Sequence, residues 1–116
     1  MTIHQGSCHC GKIAFEAKGD FTTAIDCNCS MCRRRGSLLA FIARTDFKLS
    51  GAREDLSVYK FNQHRLNHYF CDVCGIAPFS EGVGPDGKET TAVNLRCVPD
   101  VDLDSLTLHR WDGASH

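Results

Sequence analysis

A chain of 116 residues, 42% hydrophobic and 23% charged, is long enough for one domain with a modest core, so residues 1–116 read as a single unit. Its formal net charge of −1 excludes the broad basic field that draws proteins to nucleic acid. No apolar run reaches the roughly 18 residues of a membrane span, and Met1 to Ser7 lacks the basic start and apolar core of a signal peptide, so the expected location is the cytoplasm.

The first chemical signal along the chain is Cys8-His9-Cys10-Gly11. Ile13, Phe15 and Ala17 then alternate with polar or small neighbours, which predicts a strand with one buried face, turned by Gly19-Asp20. Phe21 to Asp26 leads into Cys27-Asn28-Cys29-Ser30-Met31-Cys32, three thiols within six residues. A helical turn over Ser30 to Arg35, ended by Gly36, folds Cys32 back toward Cys27 and Cys29. Leu38 to Ala43 reads as a fully buried strand and Phe47 to Gly51 as another that ends in a turn. Leu56 to Phe61 alternates, Asn62 to His64 is a polar turn, and Arg65 to Phe70 is a strand leading into Cys71-Asp72-Val73-Cys74-Gly75. Ile76 to Ser80 leaves that turn. Glu81 to Lys88, with three glycines and Pro85, reads as a loop, Thr90 to Val98 as a strand, and Leu106 to Trp111 alternates again. So many short strands predict an all-β domain.

The eight cysteines decide the chemistry. Cys-x-Cys and Cys-x-x-Cys spacings strain a disulfide but place two sulfurs on one ion, so reduced thiols loaded with metal are expected. The pairs Cys8/Cys10 and Cys71/Cys74 make a four-thiolate zinc site, and Gly75 and Gly11 can adopt the positive φ such a turn needs. Cys27, Cys29 and Cys32 then form a three-thiolate site whose fourth position stays open to water or substrate. The competing partition closes the triad with Cys97, His9, His64, His68 or His109. Cys97 lies in an apolar run and reads as a core filler rather than a nucleophile, and His68 falls in step with Leu66 and Phe70 on one strand face. Two Zn²⁺ and seven thiolates would shift the net charge by about −3.

The cysteine order, with Gly6-Ser7-Cys8-His9-Cys10-Gly11, Cys27-Asn28-Cys29-Ser30-Met31-Cys32-Arg33, Phe47-Lys48-Leu49-Ser50-Gly51, Phe70-Cys71-Asp72-Val73-Cys74-Gly75, Val93-Asn94-Leu95-Arg96-Cys97 and Trp111-Asp112-Gly113, resembles the glutathione-dependent formaldehyde-activating enzyme family, which includes the centromere protein V type of domain. The resemblance implies an Mss4-like β-tent of short antiparallel strands. It also implies a structural zinc on Cys8, Cys10, Cys71 and Cys74, a catalytic zinc on Cys27, Cys29 and Cys32, and carbon–sulfur lyase chemistry with a thiol such as glutathione and a small aldehyde such as formaldehyde.

Physical reasoning reaches a similar chemistry. Three thiolates make zinc a milder Lewis acid toward water than three imidazoles would, yet still able to hold an incoming thiol deprotonated. That thiolate attacks the aldehyde carbon, and no side chain of the chain need act as a covalent nucleophile. Arg33-Arg34-Arg35 is either a solvated basic turn or a fork for the carboxylates of a tripeptide thiol, which makes Arg33 and Arg34 candidate substrate contacts. Two other readings stand beside the enzyme. One is a non-catalytic, zinc-stabilised binding module of the same fold class. The other is a reductase in which Arg96-Cys97 resembles the active segment of methionine-R-sulfoxide reductases. The oligomeric state is left open.

Overall fold

The structure is a computed structural model that describes residues 2–50, 53–60, 66–84 and 86–115. The expectations at Gly51, Phe61, the turn Asn62 to His64, Arg65 and Pro85 lie outside the described residues.

Ten strands and one short helix follow one another as β1 (Ile3–Ser7), β2 (Ala14–Lys18), β3 (Thr23–Cys27), α1 (Ser30–Arg35), β4 (Leu39–Ala43), β5 (Phe47–Leu49), β6 (Leu56–Tyr59), β7 (Asn67–Cys71), β8 (Phe79–Val83), β9 (Glu89–Asn94) and β10 (Thr107–Trp111) among the described residues. Strands β1, β2 and β5 form a small antiparallel sheet. The larger sheet has the order β10-β3-β4-β9-β8-β7-β6. Its pairs are antiparallel except for β3 with β10, which run parallel and set Trp111 opposite Cys27. The all-β class therefore holds, with one parallel pair that the antiparallel expectation did not include.

The two sheets are joined by a run of aromatic rings. Phe15 of β2 stacks on Phe47 of β5 at 5.1 Å, Phe47 meets Phe79 of β8 at 4.6 Å, and Phe79 meets Tyr69 of β7 at 5.1 Å. Such offset contacts add to the gain from burying the rings. Phe15, Ala17, Ala24, Val93, Leu95 and Cys97 belong to one buried cluster, and Ile13, Phe79, Cys8 and Cys71 to a second that backs onto the four-cysteine turns.

One strand, β1, was not foreseen, and three expectations are corrected by the packing. Strand β1 carries little hydrophobic alternation because Gly6 must be small: a β-carbon there would stand 2.3 Å from the Phe15 ring. The run Leu38 to Ala43 is only half-buried, with Phe41 59% exposed, because none of the described residues covers that face of β4 at Phe41. Glu81-Gly82-Val83 continues β8 instead of looping, and Glu81 turns inward with its carboxylate 3.0 Å from Arg53 Nη2 and 3.9 Å from Arg44 Nε. Strand β9 ends at Asn94 rather than Val98, since the Asn94 side chain accepts a hydrogen bond from Arg96 N at 3.1 Å and starts a 3-10 turn over Leu95–Cys97. Cys97 is buried there among apolar neighbours, and burial raises its thiol pKa to about 11, far from the low pKa of a reactive thiol.

Candidate metal centres

Two strand ends build the four-sulfur cluster. Cys8 and Cys10 follow β1, Cys71 closes β7, and Cys74 ends the turn after it, so the cluster ties the small sheet to the large one. The two turns use one device. Cys8 N donates to Ile13 O at 2.9 Å while Gly11, at φ 83°, donates to Cys8 O at 3.3 Å; Cys71 N donates to Ile76 O at 2.9 Å while Gly75, at φ 80°, donates to Cys71 O at 2.9 Å. A side chain at either glycine would strain this left-handed backbone.

The four sulfurs lie within 4.8 Å of one another, with Cys8 and Cys10 Sγ 3.6 Å apart and Cys10 and Cys71 Sγ 3.7 Å apart. A zinc tetrahedron with ~2.3 Å bonds to sulfur has edges of about 3.8 Å, so the spacing fits that ion. Backbone N–H groups of Ile13, Val73 and Cys74 point at Cys8 or Cys71 sulfur at 3.4 to 3.5 Å, as thiolates require. The N–H groups of Cys10 and Ile76 pull the Cys74 thiol down to about 6.

The triad is assembled where β3 runs into α1. Cys27 ends β3, Cys29 caps the helix, and Cys32 lies buried on its inner side. Cys29 adopts the extended N-cap conformation, and its sulfur, in place of a hydroxyl, accepts from Cys32 N at 3.3 Å. Cys29 N in turn donates to Cys27 Sγ at 3.4 Å, and Gly36, left-handed at φ 72°, closes the helix on Cys32 O at 2.8 Å. The three sulfurs lie within 4.8 Å of one another. Burial, then the neighbouring thiols of Cys29 and Cys27, push the Cys32 thiol well up. Burial also raises Cys29, but the Cys32 and Met31 N–H groups and the Cys32 and Cys27 thiols outweigh it and bring that thiol down. A metal bound here would displace the proton that Cys32 otherwise keeps.

Among the described residues no histidine, carboxylate or further thiol joins this group. His68 is buried with Nδ1 3.0 Å from Ser80 Oγ, His9 is exposed beside the other cluster, His109 lies on β10 opposite Ile25, and His64 is outside the described residues. Neither Cys97 nor these described histidines closes the triad.

The family model for glutathione-dependent formaldehyde-activating enzymes matches residues 3–109. The chain belongs to this family. A crystal structure of a Rhodobacter sphaeroides protein resembles it with a TM-score of 0.79 and 31% identity, over 92% of this chain and 98% of that one.

Within the family member described here, the triad is backed by residues whose role the sequence did not signal. The C-terminal segment continues the β3–β10 pairing past Trp111, with Asn28 N donating to Trp111 O at 3.1 Å. The Asn28 amide then bridges Asp112 Oδ1 at 3.0 Å and Ala114 N at 2.9 Å. Gly113 is thereby pressed against Cys27 and Cys29.

A groove of about 570 Å³ runs beside α1, lined by Ser30, Met31, Arg34, Arg35, Tyr59 and Phe70. It shares the helix with Cys29 and Cys32. A second hollow of about 530 Å³ opens where β3 and β4 part beyond the Ile25–Leu39 pair, and its walls carry no thiol or histidine. Of the three arginines, Arg33 is exposed and outside the groove lining. Arg34 lines the groove and donates from Nη1 to Ser30 O at 2.7 Å. Arg35 is half-buried over the Phe70 ring, 6.0 Å from its centre.

Proposed function

We propose that the chain is a zinc-dependent carbon–sulfur lyase that joins a thiol of the glutathione type to a small aldehyde such as formaldehyde, and reverses the reaction. The observation that carries this reading is the triad: three converging sulfurs where β3 runs into α1, with no fourth donor among the described residues. Family membership supports glutathione and formaldehyde as the reactants.

Two zinc ions per chain are proposed, one structural on Cys8, Cys10, Cys71 and Cys74, the other catalytic on Cys27, Cys29 and Cys32. Both donor sets are all sulfur, which suits zinc over calcium or magnesium. A zinc ion held by Cys27, Cys29 and Cys32 would supply positive charge that lowers the pKa of an incoming thiol. The chain's own residues hold the site in shape. Cys29 and Cys27 sulfurs are fixed by N–H donors of the helix start, and Asn28 and Gly113 brace them from behind. The sulfur lone pair forms a bond to the aldehyde carbon, the carbonyl π pair moves to oxygen, and that oxygen takes up the proton the thiol has lost. Carboxylates of the thiol are proposed to meet the arginine run, with Arg33 and Arg34 as contacts. The reaction is placed in the cytoplasm, where reduced thiols persist.

The test is a metal count on purified protein followed by cobalt substitution and glutathione titration. Two metals, with a sulfur-to-cobalt charge-transfer band that shifts as glutathione is added and turnover of formaldehyde, support the proposal. Two metals whose spectra ignore glutathione would leave a zinc-stabilised binding module instead.

A further inference from the structure

Strands β3 and β4 part after a single pair. Ile25 stands opposite Leu39, and the same register would set Thr23 opposite Phe41, yet that pair is not made and the hollow of about 530 Å³ opens in its place. The hydrogen-bond phase of the two flanking ladders decides which backbone groups face it. Leu95 N donates to Leu38 O at 2.7 Å, so Leu38, Ala40 and Ile42 bond to β9, and the N–H groups of Phe41 and Ala43 turn toward β3. Thr107 N donates to Thr22 O at 3.0 Å and Asn28 N to Trp111 O at 3.1 Å, so Thr23 likewise turns away from β10 and toward β4. Among the described residues no strand lies between β3 and β4 to receive these groups. Two unpaired strand edges that face one another form a slot for an extended chain, because backbone donors and acceptors at strand spacing are matched by another strand.

The slot is apolar on both sides. Ala24, Ala40 and Ile42 lie on its core side, and Ile25, Leu39 and the exposed ring of Phe41 on its outer side. Its mouth is acidic. Asp20, in the turn before β3, and Asp46, just after β4, stand at the open end with Lys18, and none of the three belongs to an ion pair among the described residues. Two carboxylates against one ammonium leave an excess of negative charge there. A strand that enters between two others must have both of its edges free, whereas every described strand of this chain is already paired on at least one edge. The occupant is therefore a linear segment rather than a folded strand of a second copy.

We propose that this slot binds an extended peptide segment of a partner protein by strand addition. A short apolar run lies between β3 and β4 with its backbone bonded to Thr23, Phe41 and Ala43, and a lysine or arginine next to that run meets Asp20 and Asp46 at the mouth. The site stands apart from the triad and holds whether or not the triad takes an external thiol.

The probe is the capped tetrapeptide lysine-valine-threonine-valine, titrated to about 1 mM into the full chain while backbone amide resonances are followed. The amides of Thr23, Phe41 and Ala43 should shift and exchange more slowly with solvent. The same peptide N-methylated at both valines keeps its side chains and loses backbone donors, and should bind about tenfold or more weaker. Ala43→Pro removes one N–H that faces the slot at a residue whose φ, −62°, already suits proline, so the melt should stay unchanged while peptide binding falls about threefold to tenfold. Asp46→Asn should weaken the lysine peptide about twofold to fivefold and leave its norleucine counterpart within about twofold. Amides that ignore the peptide overturn the proposal. Equal binding of the N-methylated form, or full binding by Ala43→Pro, overturns it too, since either marks an apolar pocket rather than a strand slot. Shifts of the same amides that follow protein concentration without peptide would give the slot to a second copy and overturn the peptide partner.

Discussion

Gly113 is packed against Cys27 so closely that a β-carbon built on it would stand 2.6 Å from the Cys27 sulfur and 3.2 Å from the Cys29 β-carbon. The two residues are far apart in sequence and meet because β10 runs parallel to β3. Gly113→Ala must displace either the sulfur or the tail, because no real β-carbon sits that near. The expected result is a triad metal held at least about tenfold more weakly in chelator competition, with the four-cysteine metal retained. Unchanged affinity at both sites would show that the tail does not brace the triad.

The two clusters should separate by stability. Cys71 is fully buried at the junction of the sheets, and structural zinc contributes roughly 10–16 kcal/mol of apparent binding energy in small zinc domains, comparable to the typical margin of about 5–15 kcal/mol for a whole fold. Cys71→Ser should abolish cooperative unfolding in a thermal melt. Cys32→Ser should keep a cooperative melt and lose one metal and the turnover. A reversed pattern would exchange the roles assigned to the two sites.

Cys97→Ser distinguishes the zinc–thiol chemistry from the reductase reading. The cysteine is buried among Phe15, Leu95 and Val98, so a hydroxyl there costs about 1–3 kcal/mol for lack of a partner. Turnover of thiol and aldehyde should persist at temperatures below the lowered melting point. Its loss with both metals still bound would bring Cys97 into the chemistry.

His68 makes stability fall on acidification. Burial first, then the positive charge of Arg35, hold its pKa below the ordinary value of 6.5. Below pH 6.5 the unfolded chain therefore takes up a proton that the folded one still declines, and stability is lost as pH drops through this interval, at no more than about 1.4 kcal/mol per pH unit. Above 6.5 both states are neutral and the contribution is complete. His68→Gln, which keeps a donor or acceptor for Ser80, should give a shallower decline between pH 7 and 5 in denaturant titrations. An identical slope would contradict the account.

What the sequence made legible was what local spacing encodes. Cys8-x-Cys10, Cys71-x-x-Cys74 and the triad fold on turns of a few residues, so their partners could be grouped before any tertiary contact was known. Short-range glycine signals at Gly11, Gly36 and Gly75 all mark left-handed backbone. Contacts that depend on distant pairing were not legible. The Asn28–Ala114 bridge exists only because a parallel strand arrives from the far end of the chain, and Glu81 stays in a strand because Arg53 and Arg44 reach it. The arginine run illustrates the boundary: its charge was plain, but which guanidinium meets the groove depends on helix phase and on Phe70, a residue of β7.

The most direct measurement is a crystal structure of the zinc-loaded protein at atomic detail around Cys27, Cys29 and Cys32, with and without glutathione. The account predicts a zinc held by those three sulfurs, with a solvent oxygen in the fourth position that the glutathione sulfur replaces. A fourth ligand contributed by the chain itself, unmoved by glutathione, would contradict it.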